Sequence, residues 1–116
     1  MNRLAAFDQF CAGLPGSHMV VQWGGSHVHK AGPKMFAVGG GFPGEDSYVF
    51  KAAPLAFQIL REQGLATRAP YLPRGNWLRI AGGAMPDAEL FAHIGQSYRI
   101  IAASLTRAER ARLGLD

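Results

Sequence analysis

The sequence predicts an α+β fold, a two-layer sandwich in which helices cover one face of an antiparallel sheet of about five strands. Apolar residues recur at helical spacing near both ends of the chain. Between them lie short runs of alternating polarity, separated by turn-forming glycines and prolines. The resulting order is helix, four strands, helix, strand, helix, helix. Strands at such close spacing are typical of an antiparallel meander.

Four segments have the hydrophobic periodicity of helices. Residues 3–13 form the first, with Asn2 as the expected N-cap. The second begins at Pro54, because the first turn of a helix tolerates proline. The third and longest carries a sustained apolar stripe over residues 90–105. Thr106 and Glu109 have the spacing of a capping box, which predicts a last short helix after them.

Four short strands are predicted before the second helix, at His18–Trp23, His27–Lys30, Lys34–Val38 and Ser47–Ala52. Residues 42–46, which follow three glycines, are expected to form a longer hairpin loop. The fifth strand begins at Asn76, after a proline-bracketed turn. Side chains alternate along it, so Trp77 and Arg79 should lie on the face opposite the core. Arg74 lies in the turn just before.

The composition fits one globular domain spanning residues 1–116. Hydrophobic residues make up 48% of the chain and charged residues 17%, which argues against disorder. No apolar run approaches the roughly 20 residues of a membrane span. The first residues lack the order of a signal peptide, so cytoplasmic residence is expected. Cys11 is the only cysteine, which excludes an internal disulfide and predicts a buried thiol.

The distribution of charge is more informative than the net charge of +4. No acidic residue occurs from Gln9 through Gly44 or from Gln63 through Met85. If these spans meet on one sheet face, they form a positive patch with aromatic residues among the cations. Such a patch is typical of nucleic-acid binding. The alternative explanation is that strands simply contain few acids.

The sequence contains no pattern for catalysis. We find no nucleophile elbow, catalytic triad or paired carboxylates, and we expect no enzymatic activity and no cofactor. His27 and His29 are two apart on a strand and could supply two metal ligands. A third would have to come from His18, His93 or a distant carboxylate. We therefore interpret the histidines as surface residues near the basic patch and predict no metal site.

Several short motifs, taken together, resemble those of the MmcQ/YjbR-like family of small bacterial proteins. They are Leu14-Pro15-Gly16, Lys34-Met35-Phe36-Ala37, Lys51 with Pro54, Ala69-Pro70-Tyr71, Asn76-Trp77, Ser97-Tyr98 and Leu105-Thr106. The resemblance covers essentially the whole chain. It implies a frataxin-type (CyaY-like) α+β sandwich, described as a "double wing" because its hairpins project from the sheet.

The resemblance also implies DNA binding. Carried onto this sequence, the candidate contacts are Lys34, Lys51, Arg74, Trp77 and Arg79. Lys30 is added to these candidates because it is a cation in the first acid-free span. Phosphate contacts should dominate, because no helix rich in base-reading side chains can be named. The alternative is a protein- or small-ligand-binding module that uses an aromatic surface around Tyr71 and Trp77.

Overall fold

The computed structural model describes residues 2–40, 46–72 and 74–115. In chain order the elements are α1 (Arg3–Ala12), β1 (Ser17–Gln22), β2 (Ser26–Ala31), β3 (Lys34–Gly39), β4 (Ser47–Lys51), α2 (Pro54–Glu62), β5 (Thr67–Arg68), β6 (Trp77–Ala81), α3 (Asp87–Ala103) and α4 (Arg107–Arg112). The loop predicted at residues 42–46 lies, except for Asp46, outside the described residues.

The strands form one antiparallel sheet in the order β1-β2-β3-β4-β6-β5. The predicted α+β class is confirmed, with six strands rather than about five. The additional strand is β5, whose two residues pair with β6 through Thr67↔Arg79 and Arg68↔Leu78. A two-residue strand is too short to show alternation, so it leaves no periodic pattern in the sequence.

The hydrophobic core lies between one face of the sheet and the helices. The register places Tyr48 opposite Ile80 and Phe50 opposite Leu78, and all four side chains are almost fully buried. α1 and α3 pack against this side of the sheet. Burying an aliphatic or aromatic side chain of this size contributes about 1.5–3 kcal/mol. The alternation predicted for β6 is confirmed, because Trp77 and Arg79 lie on the other face.

A β-bulge in β3 lies where α3 is hydrogen-bonded to the sheet. The register changes from His29↔Ala37 to Lys30↔Met35, which leaves Phe36 as an extra residue. The fully buried Ser97 of α3 donates a hydrogen bond from Oγ to the Phe36 carbonyl at 2.6 Å, and it accepts one from the Lys51 amide at 2.9 Å. Ser97 thus satisfies two backbone groups of neighbouring strands.

The helix ends have the predicted signals. Asn2 caps α1, its side chain accepting a hydrogen bond from the Ala5 amide at 2.7 Å. Thr106 and Glu109 form the predicted capping box of α4.

Tyr98, on the buried side of α3, donates a hydrogen bond to the Pro15 carbonyl at 2.6 Å. Within the described parts of the chain, no helix has the length and apolar character needed to cross a bilayer.

Candidate binding face

The sheet face opposite α1 and α3, here called the helix-free face, has a continuous central row of side chains. Cross-strand pairing runs along this row from edge to edge: Val20, Val28, Val38, Val49, Arg79, Thr67. Four valines therefore stand side by side, and a cation ends the apolar row. The alternation of side chains along β6 is enough to predict that Arg79 lies on this face. Its position at the end of the row of valines follows only from the order of the strands in the sheet.

A second row on this face, two residues along the strands from the first, carries two lysines. Lys30 pairs with His18, and Lys51 pairs with Trp77. The Lys51 ammonium lies 5.7 Å from the centroid of the Trp77 ring, within the range of a cation–π contact. Trp77 itself is only 8% exposed. Its indole therefore supports Lys51 and is too covered to stack on a base.

Arg74 is exposed beside Lys51. A Cβ added at the neighbouring Gly75 would lie 2.7 Å from the Lys51 ammonium and 3.5 Å from the Trp77 ring. Gly75 also has a φ of +76°, which L-residues with side chains rarely adopt. The turn can approach Lys51 this closely because residue 75 has no side chain, and Arg74 is the residue that precedes it in the chain.

Lys34 does not belong to this group. Its ammonium donates hydrogen bonds to the carbonyl and Oγ of Ser104, both at 3.2 Å, at the C-terminal end of α3. Its pairing partner, Ala31, is part of the hydrophobic core. Lys34 therefore lies on the helix side of the sheet, where a lysine near a helix C-terminus is favourable. Of the other predicted contacts, Lys30, Lys51, Trp77 and Arg79 share the helix-free face by register, and Arg74 lies in the turn that leads to β6.

Four of the six carboxylates among the described residues make contacts away from this face. Asp46 and Asp87 form ion pairs with Arg3 at 2.6 Å and 2.7 Å, and Asp8 contacts histidines on the helix side of the sheet. Glu109 caps α4. No strand position on the helix-free face holds Asp or Glu within the described ranges. The positive charge at these strand positions therefore has no carboxylate beside it among the residues that the structure describes.

The histidines of β2 are not part of the basic face, which corrects the expectation from sequence. His27 and His29 do share one face, but it is the helix side, and His29 is 2% exposed. Asp8 of α1 accepts from His27 Nδ1 at 2.6 Å and from His29 Nε2 at 2.8 Å. Burial lowers the pKa of His29. The described residues contain no group of three or more His, Cys, Asp or Glu suited to a metal ion.

A cavity of about 520 Å³ opens on the helix-free face, and sequence reasoning missed it. Val38 and Val49 line it, together with Arg79. Trp23 at the β1–β2 turn and Tyr71 in the loop before β6 line it as well, and both are exposed, at 60% and 87%. Only the juxtaposition of these two turns creates the cavity, and they are far apart in sequence.

The fold and this face define a small α+β sandwich with a basic, partly apolar sheet surface. The family model named YjbR matches residues 12–100. The chain belongs to the YjbR family.

A comparison of structures finds similarity to the crystal structure of Deinococcus radiodurans protein DR2400, which carries a domain of the DUF419 family model. The TM-score is 0.84 and the sequences are 22% identical. The match covers 97% of this chain and 88% of that one. At this identity the likeness establishes the shared fold. No curated protein matches the chain.

Proposed function

We propose that this protein binds DNA through the helix-free face, mainly by sequence-independent contacts to phosphates. The observation that carries the proposal is the position of Lys30, Lys51 and Arg79 on a face whose described strand positions hold no carboxylate, with the exposed Arg74 next to Gly75, which lies against Lys51. Cations without nearby acids attract polyanions, and lysine and arginine provide most phosphate contacts.

The cations are held in ways that favour binding. Lys51 rests on the buried Trp77 ring, and Arg74 is followed by Gly75, whose backbone lies against Lys51 and Trp77. Side chains and turns that are ordered before binding lose less entropy in the complex. Trp77 then acts by positioning Lys51, and Arg74 makes the most accessible contact. Neither α1 nor α3 lies on this face, so the proposal includes no reading of bases in the major groove by these helices.

A salt titration tests the proposal. Four cations imply about four neutralised phosphates, and hence a slope of roughly −3.6 in log K against log salt concentration. Affinity for a fluorescent duplex, measured by anisotropy, should therefore fall on the order of 10²-fold between about 50 and 200 mM salt. A flat dependence, or no binding at the lowest salt, would contradict DNA binding by this face.

A second candidate function is the binding of a small ligand, favoured by the cavity. The aromatic surface predicted around Tyr71 and Trp77 has a different composition in the structure. Tyr71 is 87% exposed, whereas Trp77 is 8% exposed and packs under Lys51. The second exposed aromatic residue beside Tyr71 at the cavity is Trp23.

A further inference from the structure

We infer that the cavity bordered by Trp23 and Tyr71 is a binding site for a small aromatic organic acid, with its oxyanion on Arg79. The inference rests on the second candidate function and gives its ligand class. It does not depend on DNA binding, and its test uses changes that separate the two.

Arg79 provides the first argument. Its Nε atom is buried and has no hydrogen-bond partner, and no ion pair of Arg79 is found among the described residues. A buried donor left without a partner is unfavourable, and most such groups in folded proteins are satisfied. The guanidinium is also the side chain best shaped for two parallel hydrogen bonds to an oxyanion. Nε itself is covered, so an acid group in the cavity would meet the terminal Nη groups of Arg79, which have no carboxylate partner among the described residues.

The size and lining of the cavity provide the second argument. A volume of about 520 Å³ lies within the usual range of about 300–1,000 Å³ for small-molecule sites. Val38 and Val49, next to Arg79 in the central row, give it an apolar floor. An apolar site with one well-placed cation favours a ligand with an apolar body and a single negative charge.

The backbone at the cavity provides the third argument. Trp23 and Tyr71 have φ values of +50° and +65°, and no other non-glycine residue in the described parts of the chain has a positive φ. Bulky side chains rarely adopt this conformation, and such strain is concentrated at functional sites. Here it holds two exposed aromatic rings at the cavity. Planar ligands stack well on such rings, which favours an aromatic acid over an aliphatic one.

A pair of fluorescent probes tests the site directly. The anionic probe is 1-anilinonaphthalene-8-sulfonate, and its uncharged counterpart is N-phenyl-1-naphthylamine. Both should bind the full-length protein with one-to-one stoichiometry. Arg79→Gln should weaken the sulfonate by roughly tenfold or more, because a charge-assisted hydrogen bond is lost. The same change should leave the uncharged probe nearly unaffected. Equal effects on both probes, or none on the sulfonate, would overturn the assignment of Arg79.

Two further variants separate this site from DNA binding and from a folding defect. Val49→Phe fills the cavity floor without changing charge, so it should abolish binding of both probes. Lys30, Lys51 and Arg74 do not line the cavity, so DNA affinity should fall by no more than the single contact of Arg79. Arg74→Gln should weaken DNA binding and leave the sulfonate unaffected. Retained probe binding in a folded Val49→Phe protein would show that the probes bind elsewhere and would overturn the proposal.

Tyr71→Gly should weaken probe binding without lowering the stability of the protein. Glycine accepts a positive φ without strain, so the variant should unfold at the same or a higher denaturant concentration than the wild type. It should nevertheless weaken the sulfonate several-fold, because one ring at the cavity is lost. Unchanged probe affinity in this variant would contradict a role for Tyr71 in the site.

Discussion

Asp8 on α1 and His29 on β2 are joined across the two layers, with His29 Nε2 donating to Asp8 Oδ1 at 2.8 Å. The imidazole is 2% exposed and packs edge-on against Phe7, with their ring centroids 5.1 Å apart. A titratable ring thus lies in the core, where the charged form is disfavoured. Asp8 partly offsets this effect, but burial has the larger influence on the pKa of His29.

Stability should therefore depend on pH through His29. Burial lowers its pKa below the ordinary value of 6.5, so the unfolded chain takes up a proton more readily than the folded one. The stabilisation is complete above about pH 6.5 and is lost as the pH falls through the lowered folded pKa. Urea unfolding between about pH 5 and 8 would measure this loss. His29→Gln should reduce it, leaving the part due to His93, whose pKa is also lowered by burial. A pH dependence unchanged in this variant would contradict the assignment.

Ser97→Ala should destabilise the protein by at least about 2 kcal/mol, because the Phe36 carbonyl and Lys51 amide would both lose a buried partner. Chemical denaturation measures the free energy of unfolding. Hydrogen exchange should show faster opening at the Lys51 amide in particular. Ser104→Ala is the matched control, since Ser104 lies at the exposed end of α3 and should cost less. Equal losses for both serines would argue against a special role for Ser97.

Gly39 is required for packing against Phe7. A Cβ at residue 39 would overlap the Phe7 ring, so Gly39→Ala should cost about 1–3 kcal/mol. Phe7→Leu in the same chain should recover part of this loss, giving a non-additive double-mutant cycle. Gly13→Ala is the control, because its φ is −78° and an added Cβ meets nothing closer than 3.5 Å. Additive effects at residues 7 and 39 would exclude the clash as the cause.

The proposed DNA contacts predict a pattern among charge variants. Arg74→Gln and Lys30→Gln should each weaken duplex binding for all sequences and reduce the salt slope by roughly one. Lys34→Gln is the matched control, because its ammonium is bound to Ser104 on the helix side. Anisotropy titrations at several salt concentrations compare the three slopes. The helix-free face would be the wrong surface if Lys34→Gln had the largest effect.

Cys11 should be chemically inert in the folded protein. The residue is fully buried, and burial raises the pKa of its thiol, so very little reactive thiolate forms at neutral pH. Labelling with a thiol reagent should require unfolding and should follow the same denaturant dependence as circular dichroism. Fast labelling under native conditions would show that α1 opens locally.

The histidines show where sequence reasoning ended. Their spacing was sufficient to place His27 and His29 on one side of a strand, and this prediction is confirmed. The identity of that side was not available, because alternation gives two faces without saying which one the helices cover. Asp8 is the only acidic residue of α1, but nothing in the spacing of the sequence marks it as the partner of these histidines. A residue 19 positions away becomes a neighbour only when α1 packs on the sheet.

The sequence by itself determined the α+β class, the helix caps, the buried thiol and the parity of Trp77 and Arg79, because these depend on local periodicity and local hydrogen bonds. Tertiary structure alone decided the separation of Lys34 from the other cations and the alignment of Arg79 with a row of valines. It also decided the position of Trp23 and Tyr71 at one cavity. These features depend on strand order and register, which bring together residues that no local pattern connects.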